Sequence, residues 1–171
     1  MDRRPATAEE ARALANPLRL RILRLCLDRA LTNEELAARL GKDAGSVLHH
    51  VRLLVKTGFL AAEEERRGAR GSVERPYRAT GKSWILDVGE EDGKGVASAS
   101  TLALVDALRA EIAETPKDAM VTTARLGVRL TDDQAAAFVE RIEALVRDLK
   151  DAHDPAGEPY GFFIAAHHRI E

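Results

Sequence analysis

Side chains able to bond to base edges recur on one short segment of the sequence. Ser46 and His49 can each donate and accept hydrogen bonds, and Arg52 carries a permanent positive charge. Their spacing of three residues places all three on one side of an α-helix, which turns once every ~3.6 residues. Hydroxyl, imidazole and guanidinium groups arranged in this way suit bases and the phosphates beside them, so the pattern predicts contact with double-stranded DNA.

Two short helices joined by a tight turn are predicted to position these groups. Thr32 can begin the first helix, because its hydroxyl can accept from the backbone N–H of Glu35, whose carboxylate can complete a capping box. Gly41 suits the left-handed residue that ends this helix, and Asp43 can cap the second one. Helix, glycine-containing turn and helix form the helix-turn-helix plan, in which the second helix lies in the major groove.

The second helix, from about Ala44 to Lys56, has one apolar and one polar face. Val47, Val51 and Leu54 form the apolar stripe and are predicted to be buried. The residues predicted to face DNA are Gly45, Ser46, Leu48, His49, Arg52 and Lys56. Within this set Arg52 and Lys56 are expected at phosphates, while Leu48 can touch a thymine methyl group. His50 is either a further member of this face or a half-buried packing residue.

A β-hairpin is predicted directly after the second helix. Residues 59–65 and 73–79 have strand character, and the glycine-containing segment RRGARGS lies between them. This hairpin is a wing that places Arg66, Arg67 and Arg70 at its tip, as predicted DNA contacts. Arginines there favour phosphates and the minor groove.

The order of these segments resembles that of the ArsR-type winged helix-turn-helix repressors. The resemblance runs from about residue 13 to residue 80, through NPLRLRILRLC, TNEELAARLG, SVLHHVRLLVKTGFL and RGSVERPYRAT. It covers a little under half of the chain and implies a winged helix that binds DNA. One departure is Leu48, because such proteins often carry a small hydroxyl residue just before the histidine pair.

The resemblance also raises metal sensing, since many ArsR-type repressors release DNA when cysteine or histidine clusters bind metal. Cys26 is the sole cysteine and is predicted to be an ordinary core residue. His153, His167 and His168 are the histidines near the C-terminus, but adjacent strand residues point to opposite faces. We therefore predict no metal site and no cofactor, and a metal-responsive repressor with histidine and aspartate ligands remains the alternative.

Charge is divided unevenly along the 171 residues, although the net charge is only −2. Residues 1–82 hold 17 lysines and arginines against 11 acidic residues, whereas residues 83–171 hold 9 against 17. A basic first half fits DNA binding by that half alone. No phosphate-cradling glycine loop, nucleophile elbow or metalloprotease helix motif is present, so an enzyme is not predicted. A winged-helix protein–protein interaction module remains a further alternative.

The location predicted for the chain is the cytoplasm. No apolar run approaches the ~20 residues that span a bilayer, and the charged N-terminus does not read as a signal peptide. The single cysteine is consistent with a reducing compartment.

Helices are predicted at 8–14 and 18–27 before the helix-turn-helix, and at 96–114 and after Thr131 in the second half. Residues 121–130 and 160–168 are predicted strands that can pair with each other. The predicted domains are a winged helix-turn-helix at 1–87, a linker at 88–95 and a dimerisation or effector region at 96–171. The expected fold class is mainly α with small β content, with an α/β C-terminal region.

Apolar stripes in the C-terminal half predict either a dimer contact or internal packing. Dimerisation through the 96–114 helix is favoured, because a two-fold dimer matches palindromic operators. The sequence therefore predicts a sequence-specific, homodimeric transcriptional regulator, an ArsR-like repressor with an unidentified effector that could be a small molecule.

Overall fold

The computed structural model describes residues 4–68, 73–87, 93–120, 122–124, 126–154 and 156–168. By its internal contacts the chain divides into two compact units between Glu114 and Thr115.

Five helices build the first unit, and short strands lie between them. The helices are α1 (Ala8–Leu14), α2 (Pro17–Leu25), α3 (Asn33–Leu40), α4 (Ala44–Lys56) and α5 (Gly93–Glu114). The strands are β1 (Arg4–Pro5), β2 (Leu31–Thr32), β3 (Leu60–Ala62), β4 (Arg66–Arg67), β5 (Val73–Glu74), β6 (Pro76–Ala79) and β7 (Leu86–Asp87). A 3-10 turn, Lys82–Ile85, joins β6 to β7.

The strands form three small sheets. Strand β6 lies between β2 and β3 in an antiparallel sheet, with Leu31 opposite Tyr77 and Leu60 opposite Ala79. Strands β4 and β5 form a separate antiparallel pair, and β1 runs parallel to β7. The β3–β6 pair is the base of the predicted wing, and β4–β5 is its outer part.

Local capping chemistry sets the helix ends, as the sequence predicts. The Thr32 hydroxyl accepts from the Glu35 N–H at 3.2 Å, and the Glu35 carboxylate accepts from the Thr32 N–H at 2.7 Å, which completes the predicted capping box. Gly41 has φ +60°, a left-handed conformation that costs glycine little. Asp43 caps α4 by accepting from the Ser46 N–H at 2.9 Å.

One hydrophobic core lies beneath the helix-turn-helix. The predicted stripe of Val47, Val51 and Leu54 is fully buried, with relative exposures of 0%. Its neighbours in the core include Ile22, Cys26, Leu36 and Phe59. Burial of these side chains fixes which face of α4 is turned outward.

Helix α5 packs on α1 and α2 through small side chains. Ser100, Ala103 and Ala107 are buried, whereas Leu102 and Val105, predicted members of its apolar stripe, are exposed. Small residues allow the backbones to approach closely, and the Ser100 hydroxyl lies 3.5 Å from the carbonyl oxygen of Ala11. The large apolar residues are therefore left on the opposite side of α5.

The start of α5 differs from the prediction. The helix begins at Gly93, so residues 93–95 of the predicted linker are helical, while residues 88–92 lie outside the described residues. Contacts group α5 with the first unit, whereas the sequence analysis assigns it to a separate region.

The second unit contains one long helix, α6 (Asp132–Asp151), and a 3-10 turn at Lys117–Ala119. Thr131 begins α6 through a capping box with Gln134. The strands predicted at 121–130 and 160–168 are wrong for the described residues, which are neither strand nor helix there. A strand needs a neighbouring strand, and no strand lies among the described residues of either segment.

The mainly helical fold class with a small sheet content is confirmed. Among the described residues, no helix combines the length and apolar character needed to cross a membrane.

Candidate nucleic-acid interface

Helix α4 has one buried apolar face and one largely exposed polar face. Gly45, Ser46, His49 and Arg52 are exposed, and Leu48 is half-buried, while the apolar stripe is inaccessible. The helix is 13 residues long, so its length is about 20 Å at a rise of about 1.5 Å per residue. An α-helix is about 10–12 Å across with its side chains, so one with a polar side fits a major groove about 12 Å wide.

The N-terminus of α4 is held by two side-chain hydrogen bonds. Asp43 caps it, and the Asn33 amide on α3 donates to the Ala44 carbonyl oxygen at 2.8 Å. A methyl group built on Gly45 would lie 3.1 Å from Oδ2 of Asp43, closer than an ordinary contact. Glycine therefore keeps this cap undisturbed and leaves the backbone open to a close ligand.

The structure favours the packing interpretation of His50. Its ring is half-buried, and Nδ1 lies 3.5 Å from a guanidinium nitrogen of Arg19 on α2. Burial lowers the pKa of His50, and the nearby charges of Arg19 and His49 lower it further. His49 packs edge-on against it, with ring centroids 5.6 Å apart, and remains exposed.

Lys56, the last residue of α4, is engaged by an acidic side chain. Its ammonium group lies 2.7 Å from Oε1 of Glu9 on α1, and both side chains are exposed. The hydrogen bond to Glu9 raises the pKa of Lys56. An exposed ion pair of this kind exchanges readily, so Lys56 can move to a phosphate.

Arg66 and Arg67 lie in strand β4 and not at the wing tip, so their predicted placement is corrected. Arg66 pairs with Glu74 and Arg67 with Val73 across the β4–β5 ladder. The paired region therefore extends to Arg67 on the first strand, two residues further than the sequence suggests. Arg70 lies outside the described residues.

Acidic partners hold Arg66 against the protein. Its Nη2 is 2.9 Å from Oε1 of Glu35, and its Nε is 3.4 Å from Oε2 of Glu74. Glu35 also completes the cap of α3, so one carboxylate joins the wing to the helix-turn-helix. Arg67 is exposed on the neighbouring position and points to the other side of the strand.

Two further ion pairs lie at the base of the wing. Arg75 is bonded to Glu65, and Arg78 to Glu63. The hydrogen bond that Arg75 donates to the Glu65 carboxylate raises the pKa of Arg75. Glu63 and Glu65 therefore lie beside the basic residues of the wing as partners of its arginines. The sequence alone does not predict these pairs.

The sequence analysis missed a buried ion-pair network at the other end of α4. Glu10 on α1 is buried, and its carboxylate lies 2.6 Å from both Arg4 and Lys82. Lys82 also donates to the Thr57 carbonyl oxygen at 2.6 Å, at the C-terminal cap of α4, and lies over the Phe59 ring. The hydrogen bond from Arg4 holds the pKa of Glu10 well below its usual range.

Only part of this network has a local signal. Thr7 and Glu10 form the Thr-x-x-Glu signature of a capping box, and both of its hydrogen bonds are present. Nothing near Lys82 in the sequence indicates that it reaches α1. The network links α1, the wing exit and the end of α4.

Metal-binding residues are not assembled in the described part of the chain. No group of three or more His, Cys, Asp or Glu side chains there is placed to hold a metal ion. Cys26 is fully buried, and desolvation raises the pKa of its thiol to about 12. The thiol is therefore protonated near neutral pH.

A helix-turn-helix domain model matches residues 14–62, which run from the end of α1 to the end of β3. The match covers the two helices and the turn predicted from the sequence. No curated protein matches the chain by sequence.

Three solved structures are similar to the chain at a distance. Reduced HlyU from Vibrio cholerae is 23% identical, covering 53% of this chain and 77% of its own, with a TM-score of 0.35. The adhesin competence repressor AdcR from Streptococcus pyogenes is 19% identical, covering 79% and 81%, with a TM-score of 0.35. Staphylococcus aureus MarR, solved with salicylate and kanamycin, is 11% identical, covering 80% and 73%, with a TM-score of 0.31. Because these TM-scores are below 0.5, we draw no conclusion about this chain from the three structures.

Proposed function

We propose that the chain is a sequence-specific transcriptional regulator that places α4 in the major groove of double-stranded DNA. The observation that carries this proposal is the division of α4 between a fully buried stripe and an exposed polar face. The helix-turn-helix match at residues 14–62 supports it, because this plan presents its second helix to DNA.

Each side chain on the exposed face has a distinct role in this proposal. Ser46 and His49 read base edges by hydrogen bonding, and Leu48 contacts a thymine methyl group. Arg52 and Lys56 bind phosphates, which orient the helix without reading sequence. Arg67 and Arg70 extend the phosphate contacts along the wing, and Arg66 joins them when it exchanges a carboxylate for a phosphate.

The proposed regulator is a homodimeric, ArsR-like repressor that acts in the cytoplasm. Support for the dimer comes from α5, whose Leu102, Leu104, Val105 and Ile112 are exposed on a helix that already packs internally through its small residues. A two-fold dimer presents two copies of α4 to a palindromic operator.

An effector would act by changing the spacing or tilt of the two α4 helices. We propose that the effector binds in the C-terminal region, a dimerisation or effector domain that begins at residue 96. A small molecule regulates the protein only if it binds the DNA-competent and incompetent dimers with different affinities.

Selection from a random duplex library, followed by binding titrations across a salt series, tests this function. Arg52→Ala should weaken binding to every sequence and reduce the salt slope by about 1. Ser46→Ala and His49→Ala should instead change the selected sequence, with losses of ~1–3 kcal/mol on the preferred site.

The control is Lys150→Ala, which removes one positive charge from α6 and should leave binding unchanged. If duplexes bound with no salt dependence, or the three α4 variants behaved like the control, α4 would not be the reading helix. A protein-interaction module would then be the better interpretation.

A further inference from the structure

Helix α6 carries an apolar stripe that the described chain leaves uncovered. The stripe repeats every three or four residues and consists of Ala135, Phe138, Val139, Ile142, Leu145, Val146 and Leu149. None of the residues of α6 is buried, and Phe138, Val139 and Leu145 are each nearly half exposed. A stripe this wide on a helix of 20 residues ordinarily packs against another surface.

The residues beside the stripe identify the surface that fits it. Arg141 and Asp148 lie seven residues apart along one edge, and Val139 and Val146 lie seven apart along the other. In a two-helix coiled coil, the central positions would be Phe138, Ile142, Leu145 and Leu149. Charge lines one edge and apolar side chains line the other.

In an antiparallel pair of α6 helices, both the charged edge and the apolar edge meet complementary side chains. When Ile142 faces Leu145 of a second copy, Phe138 faces Leu149 of that copy. The same register sets Arg141 against Asp148 and Val139 against Val146, each twice because of the two-fold axis. In this register, apolar side chains face apolar side chains, and each charged side chain faces one of opposite charge.

A parallel pair would not match these edges. In register, it would set Arg141 against Val146 and Asp148 against position 153, which lies beyond the end of α6 at Asp151. Neither charge would then face an opposite charge on the paired helices. The charge pattern therefore selects one orientation, and the complementary surface is another copy of the same helix.

We propose that α6 is a self-association element that pairs antiparallel with α6 of a second copy, through Ile142 against Leu145. This contact is separate from the dimer surface proposed on α5 and holds whether or not the chain binds DNA. It assigns a partner to a helix that has no role in the proposed reading of bases.

Cysteine cross-linking in the full chain tests the register directly. Cys26→Ala removes the only native thiol, and Ile142→Cys is placed in one chain and Leu145→Cys in another of different size. A disulfide forms only where Cα atoms approach within ~7 Å. Under mild oxidation the mixture should shift to a covalent heterodimer, whereas each chain alone should remain predominantly uncrosslinked.

Two results would overturn the proposal. Cross-linking of each single-cysteine chain with itself, as strongly as in the mixture, would indicate a parallel or unspecific contact. No cross-linking in the mixture would mean that something else covers the stripe, either another segment of this chain or a different protein.

A charge exchange on the exposed edge gives a second test in which no residue of the stripe is replaced, although Arg141→Asp removes a guanidinium group 5.3 Å from the centre of the Phe138 ring. Arg141→Asp sets two acidic pairs together in its own dimer, and Asp148→Arg sets two basic pairs together. A heterodimer of the two variants has only opposite charges facing each other. Native mass spectrometry of the mixture should therefore find more heterodimer than random pairing gives, and random pairing would contradict the register.

Discussion

The ammonium group of Lys82 lies 2.6 Å from the carboxylate of Glu10, although the two residues are far apart in sequence. The same nitrogen donates to the carbonyl oxygen of Thr57, where α4 ends. A positive charge at the C-terminus of a helix also interacts favourably with its dipole. Lys82 therefore fixes the far end of the proposed reading helix to α1.

Replacing Lys82 with methionine should destabilise the first unit. The side chain is about three-quarters buried, so its loss leaves the Thr57 carbonyl and one side of the Glu10 carboxylate unpaired. We expect a loss of ~1–2 kcal/mol, because Arg4 still holds Glu10. Urea denaturation measures the free energy of unfolding, and Lys150→Met is the control. If both variants unfolded at the same urea concentration, Lys82 would not stabilise the fold in this way.

Acid should destabilise the protein partly through Glu10. Its pKa is lowered by Arg4 when folded, so ionised Glu10 stabilises the folded state above the ordinary value of 4.5, and this stability is lost progressively as pH falls below it. The Glu10→Gln variant should therefore be less stable near neutral pH and lose less stability on acidification. Thermal unfolding from pH 7 to pH 3 tests this, and parallel curves for both proteins would exclude it.

Removing the carboxylate of Glu9 should strengthen DNA binding. Lys56 is paired with this carboxylate, and Glu9→Gln frees the ammonium group and removes a negative charge beside it. We expect a gain of about two- to threefold for all duplexes at low salt, which fades as salt rises. Glu143→Gln on α6 is the matched control, and an unchanged affinity would mean that Lys56 lies away from the phosphates.

Neighbouring arginines of β4 should have separable roles. Arg66→Ala breaks one ion pair that joins the wing to α3 and another between strands β4 and β5 of the wing itself, so it should lower the stability of the folded chain by up to ~1 kcal/mol. Arg67→Ala should leave stability unchanged and weaken DNA binding, with a smaller salt slope. Denaturation and titration of both variants compare them, and identical behaviour would show that the two side chains share one role.

Local patterns predicted the helix-turn-helix accurately. The capping box of α3, the Asp43 cap of α4, the left-handed Gly41 and the stripe of Val47, Val51 and Leu54 depend on residues a few positions apart. Their physical causes are contained within each helix, so the sequence is sufficient. The outward face of α4 follows from them.

Contacts between distant segments could not be predicted in the same way. The spacing of large apolar residues predicted that they form the buried face of α5. The buried face instead carries small residues, because Ala103 and Ala107 allow close approach to α1 and α2. The pairing of Arg66 with Glu35 and of Lys82 with Glu10 depends on the tertiary fold. Alternation at 121–130 marked a strand, although no neighbouring strand pairs with it in the described chain.

The division of the chain after Glu114 has a consequence for how such proteins can diversify. Every residue of the hydrophobic core beneath α4 precedes that point. Tails of different chemistry can therefore be exchanged downstream of it by recombination, while the surface proposed to read bases is inherited intact.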